Sequence, residues 1–202
     1  MAERRLAQWL FRYRSFTPLP WVLAAAAFAQ PLGWVSAAGA AVALAGEGLR
    51  LWAVGYIGPE SRVTRAGPGA SRLVTAGPYG WVRNPLYLGN ILIIVGLALW
   101  SRALWPWLPA AALAFFLWQY GLITALETAT LTARYGWEYR AYKAVVPAWL
   151  PRFIRHPRQA GGPWRLSGGA LRGELPTLNT LLLVGVLTAL APWLRRQLGW
   201  PW

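Results

Sequence analysis

Two stretches of this chain carry residue types at spacings that could do chemistry. The first is Val74-Thr75-Ala76-Gly77-Pro78-Tyr79-Gly80-Trp81-Val82-Arg83-Asn84-Pro85-Leu86-Tyr87-Leu88-Gly89, which drives polar groups into the start of an apolar run ending at Trp100. The second is Glu127, followed by Leu131, Tyr135, Tyr139, Tyr142 and Val146, a 3–4 spacing that lines one face of a helix. Gly77-Pro78 signals a turn. Pro85 suits the first position of a helix, and Asn84 the capping position before it. No residue from Pro85 to Trp100 is charged, so Arg83 stands at the positive end of a helix that enters a membrane. An Arg at a helix N-terminus suits an anion. The same residues also suit a plain helix start with Arg83 snorkelling to the interface, and residue chemistry alone leaves both readings open.

Composition bounds what else is possible. The 202 residues are 56% hydrophobic and include 15 Trp, which is a membrane composition. A net charge of +14 first suggests nucleic acid. The Arg residues instead flank apolar spans, so anionic lipid headgroups are the expected partners and nucleic acid is not. With no Cys, no Asp and a single His, His156, thiol chemistry and a Ser-His-Asp triad are excluded. The usual metal-ligand clusters cannot be assembled either, so no metal is expected. His156 stands among arginines and is not read as catalytic. Gly67-Pro68-Gly69 is not a phosphate loop, and no complete dinucleotide fingerprint occurs. Nineteen Arg against one Lys, with much Ala, Gly and Pro, reads as a GC-rich genome.

The elements that must position these residues are apolar helices, about five in number. A first span covers about 16–32, short and broken by Pro18 and Pro20. It mimics a signal peptide, with Ala27-Phe28-Ala29 as a small-x-small site. The turn at Gln30–Gly33 into a second span favours an uncleaved helical hairpin. The second span covers about 34–57. Its first half is rich in Ala and Gly, which lets helices approach closely. Glu47 and Arg50 share one face of its second half. Charges at such depth default to function, but a mutual ion pair near the headgroups is the reading favoured here. A polar loop, 58–84, carries Arg62, Arg65, Arg72 and Arg83.

The third span, Pro85 to Trp100, and the fourth, about 104–126, are joined by a tight turn. They must form an antiparallel hairpin, which returns Glu127 to the membrane surface where Arg83 lies. Residues 127–146 read as an amphipathic interfacial segment broken at Gly136; its tyrosines alone would also fit an aromatic belt. A basic loop, 152–175, precedes a fifth span, 178–194. The fold class is all-α integral membrane, one domain over 1–202 with its core at 71–151. Sixteen of the twenty Lys and Arg fall on the N-terminus, the 58–84 loop and the 127–175 segment. Those parts should face the cytoplasm, in a bacterial inner membrane.

Leu73-Val74-Thr75-x-Gly77-x-Tyr79-x-x-x-Arg83-x-Pro85-x-Tyr87-x-Gly89 resembles the core motif of the isoprenylcysteine carboxyl methyltransferase family. Phospholipid methyltransferases are related to that family and sterol reductases more distantly. Glu127-x-x-x-Leu131-x-x-x-Tyr135-Gly136-x-Glu138-Tyr139-x-x-Tyr142-x-x-x-Val146-Pro147 is similar to its second motif. The two blocks cover about 71–151, with weaker similarity near Gly48–Ala53. The resemblance implies S-adenosylmethionine as methyl donor, held without a Rossmann fold. It implies that Val74, Thr75, Gly77, Pro78 and Tyr79 line the cofactor. Arg83, Asn84, Pro85, Tyr87, Leu88 and Gly89 would bound it at the helix start. Glu127, Tyr139 and Tyr142 would close the pocket, with Arg83 and Glu127 as the catalytic pair.

The chemistry is consistent with that implication. Arg83 suits the carboxylate of the cofactor, and Glu127 a cation or the polar head of the acceptor. Tyrosine faces suit adenine or the sulfonium, at about 0.5–2 kcal/mol per cation–π contact. The implied acceptor is lipophilic: a prenylcysteine-like carboxylate, a thiol or a phospholipid amine. A carboxylate acceptor needs no general base, so positioning and exclusion of water would carry the catalysis. Two positions depart from the family. Asn84 stands where many members have His, and Thr128 where they have a second Glu. Two other readings are weighed: a nicotinamide-dependent reductase of the sterol-reductase branch, and a non-enzymatic lipid-binding scaffold.

Overall fold

The computed structural model describes residues 2–57, 73–152 and 163–199. Arg62, Arg65, Arg72, the Gly67-Pro68-Gly69 turn and His156 lie outside the described residues. Every regular element among the described residues is helical: α1 (Ala2–Tyr13), α2 (Leu19–Ala27), α3 (Gly33–Ile57), α4 (Pro85–Ser101), α5 (Trp107–Val145) and α6 (Gly168–Leu198). A 3₁₀ turn, Gly77–Gly80, precedes α4.

By length and composition, three of these helices can cross a membrane: α3, α5 and the Leu171–Ala191 part of α6. The fourth apolar helix, α4, has 17 residues, or about 25 Å at the α-helical rise. The all-α membrane class holds, with three long spans where the apolar runs suggested about five. The first apolar run yields only α2, of nine residues. Pro18 and Pro20 are tolerated only around a helix start, and Pro31 disfavours helix in the residue before it. The chain turns there instead, with the Gln30 N–H bonded to the Ser101 carbonyl at 2.7 Å.

The ends of α3 and α4 fall where the pattern places them. The start of α5 is later than expected, because Arg102 and Leu104 adopt left-handed backbone angles, φ 50° and 46°. At 39 residues, α5 would reach about 58 Å if straight, roughly twice the hydrocarbon thickness. The break comes at Gly136, φ 53° and ψ −121°, which only glycine adopts readily. It separates the apolar part of the helix from the charged segment Trp137–Val145. α6 begins inside the expected 152–175 loop. Ser167 is a favourable residue to cap it, and its carbonyl accepts the Leu171 N–H at 2.9 Å. The helical state of α1 was not anticipated. Ala7, Leu10 and Phe11 are its buried stripe, while Arg4, Arg5 and Arg12 are exposed.

The chain forms two compact units. One contains Tyr13–Glu47, Asn90–Trp118 and Leu175–Trp202. Within it α3 and α4 touch backbone to backbone. A Cβ on Gly39 would meet the main chain of Leu99 and Trp100, and one on Gly96 would meet that of Ala43. The Ala/Gly-rich start of α3 exists for this approach. Ala25, Ala98, Ala103 and Leu108 form a core there, with Trp21 packed against it. The other unit contains Met1–Arg12, Gly48–Gly89 and Gln119–Glu174. It holds every candidate site residue.

Candidate functional site

The site is built on a loop stitched to the chain that follows α5. The Arg83 N–H bonds the Pro147 carbonyl at 2.9 Å, and the Arg152 N–H bonds the Trp81 carbonyl at 2.9 Å. The Asn84 side-chain amide donates to the Ala148 carbonyl at 3.0 Å. The Tyr142 hydroxyl donates to the Tyr79 carbonyl at 2.7 Å. Pro147 and Pro151 keep 147–151 out of a helix, which leaves those carbonyls free to accept. The Asn84 carbonyl accepts the Leu88 N–H at 3.0 Å, as a capping residue should. Its side chain, however, ties the helix start to Ala148.

Behind the loop lies the last part of α3. Ala53, Val74 and Tyr79 form a buried core, with Tyr56, Ile57 and Leu86 against it. Gly77 has φ +60°, and a Cβ there would fall on the Tyr56 ring. Trp81 meets Trp52 edge-on, with ring centroids 5.4 Å apart. Thr75, Pro78, Pro85 and Gly89 are buried. The Pro163–Ser167 segment reaches the same stretch of α3, where the Arg165 N–H bonds the Gly55 carbonyl at 3.0 Å.

Glu127 arrives as the hairpin argument requires. The Tyr87 hydroxyl donates to Glu127 Oε1 at 2.8 Å. The Tyr87 ring stacks on Tyr120, centroids 4.7 Å apart and planes 27° from parallel. Tyr120 was missed in the sequence, yet a signal was there: it lies seven residues before Glu127, two turns back on the same face.

Tyr139, Tyr142 and Val146 form a buried cluster with Leu73, Leu131 and Tyr135 against it. Thr128, the departure from the paired Glu of the resembled motif, brings its hydroxyl to 3.4 Å from that of Tyr139. Tyr142 lies beyond the Gly136 break. Burial raises its phenol above the ordinary tyrosine value, Tyr139 adds to the rise, and the charge of Arg83 opposes it. Tyr142 therefore stays neutral and keeps its proton for Tyr79.

The Arg83 backbone, bonded to Pro147, stands at the end of the segment that carries Tyr139 and Tyr142. Arg83 Nε is buried with no hydrogen-bond partner among the described residues. A buried, unsatisfied guanidinium N–H is costly, and a carboxylate is its natural complement. The residues present thus fit a ligand that brings an anionic group to Arg83 and offers a face or a cation to tyrosines and Glu127. Arg50 was expected to pair with Glu47 on its own helix. The structure gives it a partner that no spacing shows: Arg50 Nε bonds Glu174 Oε2 at 3.1 Å, and Nη2 bonds the same oxygen. Among the described residues no three His, Cys, Asp or Glu side chains come together.

Fold and site together define a helical integral-membrane protein whose polar loop feeds the head of an apolar hairpin. The chain belongs to the phospholipid methyltransferase family, whose model matches residues 34–138, just over half of its length. It is similar to a nickel-cobalt-cadmium resistance protein of Alcaligenes xylosoxydans xylosoxydans, 33% identical over 123 residues, covering 59% of this chain and 53% of the relative. It is also similar to a cobalt-zinc-cadmium resistance protein of Cupriavidus metallidurans, 35% identical over 103 residues, covering 51% of this chain and 43% of the relative. The chain thus spans about half the length of the curated relatives it matches. No solved structure matches it.

Proposed function

We propose that this protein transfers a methyl group from S-adenosylmethionine to a lipophilic acceptor, at the cytoplasmic face of a bacterial inner membrane. The observation that carries the reading is the closure of the motif loop onto the hairpin. Tyr87 holds Glu127 at one side, and Tyr142 holds the Tyr79 carbonyl at the other. Membership of the phospholipid methyltransferase family supplies the reaction class.

When bound, the cofactor supplies an electrophilic methyl group on a positive sulfur. This chain's residues would bind and orient. Arg83, whose Nε is buried without a partner among the described residues, would take the cofactor's carboxylate. Thr75, Gly77 and Tyr79 would line it through the loop, and the Tyr139–Tyr142 pair would offer ring faces. Glu127 would hold the head of the acceptor, steadied by the Tyr87 hydroxyl. The apolar surfaces of α4 and α5 would admit an acceptor from the bilayer and exclude water from the transfer. The acceptor class is a lipid-borne carboxylate, thiol or amine.

The experiment is calorimetric titration of the detergent-purified protein with S-adenosylmethionine and S-adenosylhomocysteine, with NADPH as control and Arg83→Ala alongside. Micromolar binding of both, lost in Arg83→Ala, is expected. Silence toward both with an intact helical spectrum would overturn the reading, and a response to NADPH alone would favour a reductase.

A further inference from the structure

A pocket lies far along the chain from the motif, where the turn after α4 meets the turn after α2. Phe28, Gln30, Leu32, Arg102, Leu104 and Trp105 line a cavity of about 560 Å³ that opens at the surface. All six belong to the unit that holds none of the candidate site residues. The turn is firmly built. Ser101 is fully buried, its carbonyl accepts the Gln30 N–H at 2.7 Å, and its hydroxyl accepts the Ala103 N–H at 3.2 Å. Arg102 and Leu104 both sit in left-handed conformations, which non-glycine residues adopt only where the surroundings hold them.

Arg102 is the one charged lining residue. Its Nη1 reaches the Leu32 carbonyl at 3.4 Å. Its Nε is buried and has no hydrogen-bond partner among the described residues. The guanidinium stands just past the C-terminus of α4, whose negative dipole end attracts a cation. The other walls are apolar, and Phe28, Leu32, Leu104 and Trp105 are all exposed. Trp34 and Trp107, beside them in sequence, are more exposed still, at 81% and 76%. Exposed tryptophans at helix ends mark a membrane–water interface.

We propose that this pocket holds the phosphate of an anionic phospholipid, bonded to Arg102, with the lipid's chains lying along Leu32, Leu104 and Trp105. Charge complementarity selects the occupant. Arg102 Nε and Nη offer the fork that a phosphate diester accepts. The lining carries no carboxylate, so a choline cation would find no counter-charge, and phosphatidylglycerol is favoured over phosphatidylcholine. The apolar walls favour a phosphate that arrives on a lipid over one that arrives free. This site is separate from the one proposed for methyl transfer and does not depend on it.

The test is the thermal midpoint of the full chain in a neutral detergent, titrated with dioleoyl phosphatidylglycerol, dioleoyl phosphatidylcholine or inorganic phosphate. Wild type should be stabilised by phosphatidylglycerol alone. Arg102→Gln should weaken that response about tenfold, as expected for one lost charge-assisted contact. Arg4→Gln, which removes an exposed charge elsewhere, should not. Trp105→Glu puts a competing anion into the pocket at an exposed position and should abolish the response with Arg102 intact, so the proposal stays testable even if Arg102→Gln folds poorly. Equal stabilisation by both lipids, an equal response to free phosphate, or an unchanged response in folded Arg102→Gln or in Trp105→Glu would each overturn it.

Discussion

Tyr87 bonds Glu127 through its hydroxyl, at 2.8 Å, while its ring stacks on Tyr120, one residue type serving two contacts on α5. The first turn of α4 is thereby fixed against the stretch of α5 where the apolar run gives way to charge. Tyr87→Phe keeps the stack and removes the donor. A hydrogen bond to a charged group contributes about 1.5–3 kcal/mol, so the variant should lower the thermal midpoint in detergent while keeping helical content. Tyr87→Leu should lower it further, because the stack adds about 0.5–1.5 kcal/mol. If the two variants melt alike, the ring contact contributes nothing.

Gly77 is needed for two reasons that can be separated. Its left-handed backbone costs any other residue about 1–2 kcal/mol, and a Cβ there would strike Tyr56. Gly77→Ala should therefore destabilise the protein and distort the loop that carries Tyr79 and Arg83. Adding Tyr56→Ala removes the clash and leaves the backbone cost. The double variant should recover part of the ligand affinity that Gly77→Ala loses, as read by calorimetry with S-adenosylmethionine. A double variant no better than Gly77→Ala would show that the backbone angle alone matters.

Much of this architecture was legible because it rests on local rules. The absence of charge from Pro85 to Trp100 and the shortness of the turn after it gave the hairpin. The hairpin in turn brought Glu127 to the motif, and Gly136 announced its own break. What stayed hidden depends on contacts between distant segments. Nothing near Asn84 points to Ala148, and nothing near Arg50 points to Glu174, 124 residues away. α1 was illegible for another reason: its buried stripe is only Ala7, Leu10 and Phe11, too short to stand out among arginines. The first apolar run, short and broken by Pro18 and Pro20, yields only α2, because those prolines fit only around a helix start and Pro31 disfavours helix just before it.

Tyr142 gives a pH dependence with a definite sign. Its phenol is raised above the ordinary value, chiefly by burial, so the folded state holds its proton where the unfolded chain releases it. The unfolded value is about 10. Below it Tyr142 contributes no pH slope; above it the folded state binds more protons than the unfolded one, and stability falls as pH rises. Melting between about pH 9 and pH 11 should show a steeper alkaline loss in wild type than in Tyr142→Phe. At neutral pH Tyr142→Phe should be the less stable, because it removes the hydroxyl that donates to the Tyr79 carbonyl, a bond contributing about 0.5–1.5 kcal/mol. Parallel pH curves would mean that Tyr142 ionises as freely folded as unfolded.

The Arg50–Glu174 pair fastens α6 to α3 within the unit that holds the motif, and its side chains are 13% and 2% exposed. Removing one partner of such a pair costs roughly 3–5 kcal/mol, whereas replacing both by apolar residues is often neutral. Glu174→Ala should therefore be severely destabilising, and Glu174→Gln less so, because it retains an acceptor for the guanidinium. Arg50→Met with Glu174→Leu should melt closer to wild type than Glu174→Ala does. Comparing the thermal midpoints of the three variants in one detergent decides the matter. If the apolar double variant folds well yet binds S-adenosylmethionine as wild type does, the pair serves only the fold. If it folds well and loses the ligand, then the ion pair sets the position of the Ala53–Tyr56 stretch, which backs the motif loop at Val74 and Gly77.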